Sequence, residues 1–269
     1  MIIVTGTKRS GTSLWMQILE RTGYPILGEK FPSEWGDSIR DANPNGFYES
    51  TLRHGINWTS NPAKDYYFAP EPYRNHAVKV FMAGLVRTDA AHIHKVVVTV
   101  RHWAEYGKSL RRLFAIEDAY TASLQDEAER TKREKAAKEG RGNMNEEDEW
   151  FLENYDFLRD YNLRRYECQL TAYDDLVGDP EKTLGRVLPW LGFGKVEVAA
   201  GAIDDALRNR KITRPEVNHE NAEIYEDFYQ ALSKASVPAT LVTKLNETAT
   251  AVRAKYRDLG VANGGSSGE

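Results

Sequence analysis

The chain has 269 residues, of which 41% are hydrophobic and 28% are charged, and its formal net charge is −4. This length is enough to bury a sizeable core, and the composition is typical of soluble globular proteins. The slightly acidic balance argues against a general nucleic-acid-binding protein, and no apolar run approaches the ~20 residues of a membrane span. We therefore expect a soluble, cytoplasmic protein in which any anion site is a local concentration of Lys and Arg.

The first predicted element is a short buried strand at residues 2–5 (IIVT). Because this strand starts the chain, we expect no signal peptide. A glycine-rich stretch, residues 6–13 (GTKRSGTS), follows, and apolar residues then recur at helical spacing until Gly23. Such a turn directs free N–H groups and the positive end of the helix dipole at one point, so it binds anions. Five side chains add charge or hydroxyl donors to it: Lys8, Arg9, Ser10, Thr12 and Ser13.

The spacing of this turn is that of a Walker A motif, but Thr12 stands where the motif has its lysine. That lysine normally reaches the β- and γ-phosphates of a nucleoside triphosphate. Nucleotide hydrolases of this class also carry an aspartate after another buried strand, which helps to hold Mg²⁺. The best candidate strand here ends in Arg101, which would repel a metal ion. The sequence therefore predicts a site for a phosphate ester that is handled without a metal.

Residues 24–75 are rich in Pro, Gly, Asn and aromatic residues, which predicts irregular structure over short helices. Strands are predicted next at residues 77–82 (AVKVFM) and 95–100 (KVVVTV), followed by a helix from about Ala104. This alternation predicts an α/β fold of three layers, in which helices flank a mostly parallel central sheet and a P-loop-like phosphate-binding turn follows the first strand.

Arg101 and Ser109 form a second anion-binding pattern. Arg101 follows a predicted strand, and Ser109 lies about two turns into the next predicted helix. An arginine there can bind a phosphate with two hydrogen bonds, and the serine can donate another. Together with the first turn, the pair predicts a nucleotide that carries two separate anionic groups.

We expect residues 1–260 to form a single α/β domain that includes a charged helical insertion or lid at residues 117–149. That segment is dense in mixed charge and poor in apolar residues, which predicts a solvated helix followed by a mobile loop. After it, a strand is predicted within residues 164–175, and Asp179 and Pro180 are suited to start a helix that reaches about Leu191. Further predicted segments are helices at residues 197–208, 220–234 and 239–258 and a disordered tail at residues 261–269.

With these motifs the chain resembles the PAPS-dependent sulfotransferases, in particular their bacterial members. The family's 5′-phosphosulfate loop has a basic residue followed by Ser-Gly-Thr-Ser/Thr, which residues 9–13 match. Its 3′-phosphate motif has an arginine after a buried strand and a serine eight residues on, which Arg101 and Ser109 match. Residues 43–49 (NPNGFYE) and 171–193 are also similar to family segments.

The resemblance implies transfer of a sulfuryl group from PAPS to a hydroxyl or amine of a small-molecule or carbohydrate acceptor, with PAP as the second product and no metal. It implies that a late basic residue, Arg210 or Arg214, completes the 3′-phosphate site. Arg9 occupies the place of the family's catalytic lysine, and its role would be electrostatic. Lys8 either shares this work or points to solvent. The implied cofactor-binding residues are Lys8, Arg9, Ser10, Gly11, Thr12, Ser13, Arg101, Ser109 and Arg214.

The general base is where this chain departs from the cytosolic family members, which use a histidine after a strand. The matching segment here has Phe81 at that position. Other branches use a glutamate from the segment after the first helix, which makes Glu49 the leading candidate, with His54 and His219 as alternatives. Lys79 is expected in a buried strand, where it needs an anionic partner, so it either orients the sulfuryl group or pairs with Glu49.

Two other functions are compatible with the same residues. One is a nucleotide or small-molecule kinase with a degenerate Walker A loop, and the other is a non-catalytic nucleotide-binding module. Aromatic residues of the 24–75 segment belong either to the core or to an apolar or sugar-binding acceptor pocket: Trp35, Phe47, Tyr48, Trp58, Tyr66, Tyr67 and Phe68.

Overall fold

The computed structural model describes residues 1–32, 39–57, 69–204 and 214–258. Its centre is a parallel sheet of five strands in the order β2-β3-β1-β4-β5. The strands are β1 (Ile2–Thr5), β2 (Ile26–Leu27), β3 (Ala77–Lys79), β4 (Lys95–Val100) and β5 (Cys168–Ala172). Helices cover both faces of this sheet, so the predicted three-layer α/β fold is confirmed.

Within the described ranges the chain forms ten α-helices and four short 3₁₀ helices. The α-helices are α1 (Thr12–Arg21), α2 (Met82–Arg87), α3 (Trp103–Ser123), α4 (Glu127–Gly140), α5 (Glu146–Arg164), α6 (Tyr173–Gly178), α7 (Pro180–Leu191), α8 (Val196–Ala200), α9 (Ala222–Ser233) and α10 (Ala239–Asp258). The 3₁₀ helices are Arg40–Ala42, Thr51–His54, Glu71–Tyr73 and Ala90–His92. None of the described helices combines the length and apolar character that crossing a membrane requires.

The central strand β1 lies between β3 and β4, and its residues alternate between two cores. Ile2 and Val4 pack against α1, α6, α7 and α8, whereas Ile3 packs against the layer that contains α2, α3, α5, α9 and α10. Because both faces are covered, β1 is buried along its whole length, as expected for a parallel strand. Because all five strands are parallel, their carboxyl ends meet at one edge of the sheet, where the loops after them form a common surface.

The charged segment at residues 117–149 is helical, as predicted, but it contains more helix than one solvated helix followed by a loop. It includes the end of α3, all of α4 and the first turn of α5. Asp126 and Asn145 cap the two later helices with their side chains. The four acidic residues at 146–149 form the first turn of α5, and the next two residues of this helix, Trp150 and Phe151, are fully buried. Carboxylates are favourable in the first turn of a helix, so this charge marks an N-terminus and not a loop.

Other predictions of local structure hold. The strand expected at residues 77–82 is present but ends at Lys79, and Met82 already begins α2. Asp179 caps α7 by accepting a hydrogen bond from the N–H of Lys182, with Pro180 at the first helical position. The predicted helix at residues 239–258 is α10. The helix expected at residues 197–208 is shorter than predicted: it ends at Ala200, and residues 201–204 are not helical. Residues 205–208 and the tail at residues 261–269 lie outside the described part of the chain.

Replacing Gly6 with alanine should destabilise the fold, because the loop after β1 passes directly over β4. A Cβ at Gly6 would lie 2.3 Å from Oγ of Ser10 and 2.5 Å from the carbonyl oxygen of Thr99. We expect Gly6→Ala to lower the free energy of unfolding by about 1–3 kcal/mol in urea titrations.

The matched control is Gly185→Ala in α7, where a Cβ meets nothing within 4 Å. That substitution should raise the free energy of unfolding by about 0.5–1 kcal/mol, because alanine favours a helix over glycine. Equal stabilities of the two variants would mean that the close crossing of the loop and β4 is wrong.

Candidate functional site

A cavity of about 590 Å³ opens at the carboxyl edge of the sheet. Its wall is built from the loop after β1, the end of β3, the residue after β4 and the residue after β5. Eight of the predicted site residues line this one cavity: Lys8, Arg9, Gly11, Thr12, Ser13, Glu49, Lys79 and Arg101. The structure therefore brings together residues that are up to 93 positions apart in the chain.

The loop after β1 is held in place from both sides. Oγ of Ser10 donates to the carbonyl oxygen of Thr7 (2.7 Å), and Oγ1 of Thr99 in β4 donates to the carbonyl oxygen of Ser10 (3.0 Å). Gly11 has a φ of 104°, and a Cβ there would lie 2.6 Å from the ring of Tyr173. The hydroxyl of Ser10, predicted as a ligand donor, is thus used inside the loop and is buried, whereas Gly11 is required by a left-handed turn and a close contact.

Arg9 contributes a cationic group to the cavity wall. Its Nε donates to Oγ of Ser109 (3.3 Å), and its Nη2 donates to the carbonyl oxygen of Ala42 (3.0 Å). Its own carbonyl oxygen accepts from Nη1 of Arg101 (3.0 Å), whose Nε donates to Glu105 (3.2 Å). Burial, followed by the neighbouring charge of Arg101, lowers the pKa of Arg9. Since no carboxylate of the described residues pairs with Arg9, an anion bound here would supply its countercharge.

Glu49 and Lys79 form a buried ion pair on the same cavity wall. Nζ of Lys79 lies 2.5 Å from Oε1 of Glu49 and also donates to the carbonyl oxygen of Phe47 (2.9 Å) and to Oγ of Ser13 (3.1 Å). Both side chains are only 6% exposed. Burial lowers the pKa of Lys79, and the charge of Glu49 opposes that shift. The prediction that Lys79 pairs with Glu49 is confirmed.

The two carboxylate oxygens of Glu49 differ in their contacts: Oε1 is bound to Lys79, whereas Oε2 is not. Oε2 is buried and has no hydrogen-bond partner among the residues that the structure describes. Glu49 is held by backbone pairing with Glu29, in which each N–H donates to the other's carbonyl oxygen (2.7 and 3.1 Å). A fixed carboxylate on a residue of the cavity wall, with one oxygen on a lysine and the other without a partner, is a candidate to accept a proton from a bound molecule.

Lys8 and Phe81 also line the cavity. Nζ of Lys8 lies 3.5 Å from Oε1 of Glu149 in α5, so the side chain contacts α5 and does not simply point to solvent.

Glu153 lies one turn further along α5. Burial, together with the charge of Glu149, raises the pKa of Glu153 to about 8. The ring of His54 packs edge-on against Phe81, with 5.6 Å between ring centroids, on the exposed side of this wall.

Five of the predicted site residues that the structure describes do not line the cavity: Ser10, His54, Ser109, Arg214 and His219. Nε2 of His219, a candidate base, lies 3.2 Å from Oδ1 of the fully buried Asp148, and its Nδ1 accepts from the N–H of Asn221 (3.1 Å). Both ring nitrogens of His219 therefore contact groups of the protein itself, and the residue does not line the cavity. Arg214, predicted for the 3′-phosphate, instead lies 3.4 Å from Oδ2 of Asp174 and is also absent from the described wall.

Several other predicted residues fall outside the described part of the chain: Trp35, Trp58, Tyr66, Tyr67, Phe68 and Arg210. Of the aromatic residues that are described, Phe47 lines the cavity, whereas Tyr48 is buried and donates its hydroxyl to Oε2 of Glu20 (2.7 Å). The segment after α1 therefore supplies both core and cavity wall.

The cavity also contains residues that the sequence analysis missed. Tyr173 lies under Arg101, with the guanidinium carbon 4.9 Å from the ring centroid, and follows β5 directly at the same sheet edge. Leu113 and Glu117 of α3 line the cavity one and two turns beyond Ser109. Their i+4 and i+8 spacing from Ser109 on a predicted helix is the signal by which the sequence could have indicated them.

No protein-family model matches this chain, and the comparison with curated proteins finds no match. What the cavity does is therefore inferred from its own residues.

Glu153 should make the stability of the protein depend on pH. Its pKa of about 8 in the folded state compares with an ordinary value of 4.5. Between these values the folded state holds a proton that the unfolded state has released, so stability falls as pH rises. Glu153→Gln should remove this dependence, and its advantage over the wild-type protein should grow from pH 5 to pH 8 in urea titrations.

Glu223→Gln is the control for this experiment, because Glu223 is exposed in the first turn of α9. That variant should keep the pH dependence of the wild-type protein. If Glu153→Gln kept it as well, the raised pKa of Glu153 would be refuted.

Proposed function

We propose that this protein is a sulfotransferase, which moves a sulfuryl group from PAPS to a hydroxyl or amine of a small-molecule or carbohydrate acceptor without a metal ion. The observation that carries this proposal is the pairing of two features in one cavity. One wall has an anion-binding turn with Arg9, which lacks a carboxylate partner among the described residues. Another has the buried carboxylate of Glu49, whose Oε2 is free to take a proton.

The residues of the cavity fit a nucleotide with two anionic groups. The first N–H groups of α1 have no partner within the helix and point toward the turn, which suits the 5′-phosphosulfate. Arg101 and Ser109 would hold the 3′-phosphate, and both already contact Arg9, Arg101 through the backbone and Ser109 through its hydroxyl. These contacts support two adjacent anion subsites, which a single nucleotide with two anionic groups requires.

When bound, PAPS supplies the sulfuryl group and the phosphate that leaves. Oε2 of Glu49 takes the proton of the acceptor as the acceptor oxygen or nitrogen bonds to sulfur. Arg9 and the N–H groups of the turn stabilise the negative charge that develops on the leaving phosphate. Lys79 holds Glu49 in position through Oε1, which leaves Oε2 as the oxygen that takes the proton.

Calorimetric titration with nucleotides tests this proposal directly. Without Mg²⁺, PAP should bind with a Kd in the micromolar range, and AMP and ADP should bind roughly 10-fold or more weakly, because they lack the 3′-phosphate and its charged hydrogen bonds. Mg²⁺-dependent binding of ATP together with indifference to PAP would replace this proposal with a kinase. Tight PAP binding without release of PAP from PAPS across a broad acceptor panel would replace it with a non-catalytic module.

Substitution of Glu49 separates catalysis from binding. Once an acceptor is found, Glu49→Gln should lower kcat about 10²–10⁴-fold, because the amide cannot take the acceptor proton. The Kd for PAP should stay within about twofold, since the charged contacts of the nucleotide come from other residues. The readout is PAP release, compared with the Kd from calorimetry.

Glu29→Gln is the matched control, because Glu29 pairs with Glu49 through its backbone while its side chain is exposed. It should leave both kcat and Kd unchanged. An unchanged kcat in Glu49→Gln would show that another group takes the proton.

A further inference from the structure

Three side-chain amides line the described wall of the cavity, and the mechanism proposed above uses none of them. They belong to Gln17 in α1 and to Asn43 and Asn45 in the segment after β2. Among the residues that the structure describes, the side chains of Gln17 and Asn45 have no hydrogen-bond partner. Asn43 donates from Nδ2 to the carbonyl oxygen of Gly46 (2.6 Å), which leaves its Oδ1 available. Since an amide has two N–H donors and an oxygen acceptor, this wall presents several hydrogen-bonding groups to a ligand.

Contacts place these amides on the side of the cavity that carries Glu49. Gln17 lies one turn beyond Ser13 on the same face of α1. Oγ of Ser13 accepts from Nζ of Lys79 (3.1 Å), which is the ion-pair partner of Glu49. The two asparagines precede Phe47, whose carbonyl oxygen accepts from the same Nζ (2.9 Å). One amine therefore connects both amide-bearing elements to the candidate base.

The turn that carries the two asparagines is closed by its own hydrogen bonds. The N–H of Gly46 donates to the carbonyl oxygen of Asn43 (3.1 Å), and the N–H of Phe47 donates to the carbonyl oxygen of Lys30 (2.7 Å). Gly46 has a φ of 108°, and a Cβ there would lie 2.4 Å from Cγ of Lys30. The backbone beneath the asparagines is therefore fixed before a ligand binds, which reduces the entropy lost on binding.

The hydrogen-bonding groups of this wall discriminate between classes of acceptor. In the proposed reaction, the hydroxyl that attacks sulfur is committed to Glu49. A phenol or a simple alcohol has no second hydroxyl for the amides, which would lose water contacts without replacement. A polyhydroxylated acceptor has further hydroxyls, each of which both donates and accepts. Phe81 lines the same cavity and adds an apolar surface, and such a combination is typical of ligand pockets.

We propose that Gln17, Asn43 and Asn45 form the acceptor subsite and that the acceptor is a carbohydrate. This inference rests on the proposed function. The amides bind hydroxyls that do not react, and by doing so they direct the attacking hydroxyl toward Oε2 of Glu49. Gln17 is the main specificity-determining residue, because its whole amide is available and its helix is joined to Glu49 through Ser13 and Lys79.

Binding of disaccharides to the PAP-saturated protein tests this subsite without requiring turnover. The probes are maltose, cellobiose and lactose, with 2-naphthol as an acceptor that has a single hydroxyl, and saturation-transfer difference NMR measures each Kd. At least one disaccharide should bind. Gln17→Leu, which keeps a residue that favours a helix, should raise its Kd about 10-fold, because hydrogen bonds to the sugar are lost. Asn45→Ala, at an exposed position, should raise it about 3-fold.

The Kd for PAP, measured by calorimetry, should change by less than about twofold in both variants, since the charged contacts of the nucleotide come from other residues. Gln125→Leu is the matched control, because Gln125 is exposed between α3 and α4 and does not line the cavity. It should leave the Kd values for PAP and for the disaccharide unchanged.

Two results would overturn the acceptor subsite. A higher Kd for PAP in Gln17→Leu would assign the amide to the nucleotide. Absence of disaccharide binding to the PAP-bound protein would exclude a carbohydrate acceptor, and the proposed function would still stand because PAP binds. A wild-type protein that does not bind PAP would instead refute the proposed function, and the acceptor subsite with it.

Discussion

The site depends on a lysine buried at the carboxyl end of a central strand. Lys79 is 5% exposed, and a charged amine in that position is tolerated only when it is paired and hydrogen-bonded. Its partners come from two other parts of the chain: Ser13 in α1, and Phe47 and Glu49 in the segment after β2. The contacts of this one amine therefore hold the segment after β2 against the start of α1, where the segment forms one wall of the cavity.

A second constraint acts on the other side of the loop. Arg9 has a φ of 63°, which places its carbonyl oxygen on Arg101 and its side chain on Ser109 and Ala42. A left-handed backbone at a residue other than glycine costs free energy and persists only where surrounding contacts hold it. Here the guanidinium of Arg101 supplies that contact, so the residue after β4 shapes the loop after β1 as well as the anion site.

Features set by local sequence could be predicted, whereas features set by distant contacts could not. The strand, glycine-rich turn and helix at residues 2–21 follow from neighbouring residues, and the need of a buried Lys79 for an anionic partner follows from charge alone. Tyr173 was missed because its position under Arg101 depends on the pairing of β5 with β4. Ser10 was assigned to a ligand because its sequence does not reveal that its hydroxyl closes the loop onto Thr7.

The charges of the cavity are sorted by position, and this bears on where its two substrates bind. Guanidinium groups lie beside α3 and the turn, whereas the unpaired oxygen of Glu49 lies where the segment after β2 meets β3. Under the proposed function, the anionic donor occupies the side with the guanidinium groups, because they supply its countercharge. The acceptor then binds beside Glu49, which takes its proton. The separation of cationic and carboxylate groups therefore gives each substrate its own place on the wall.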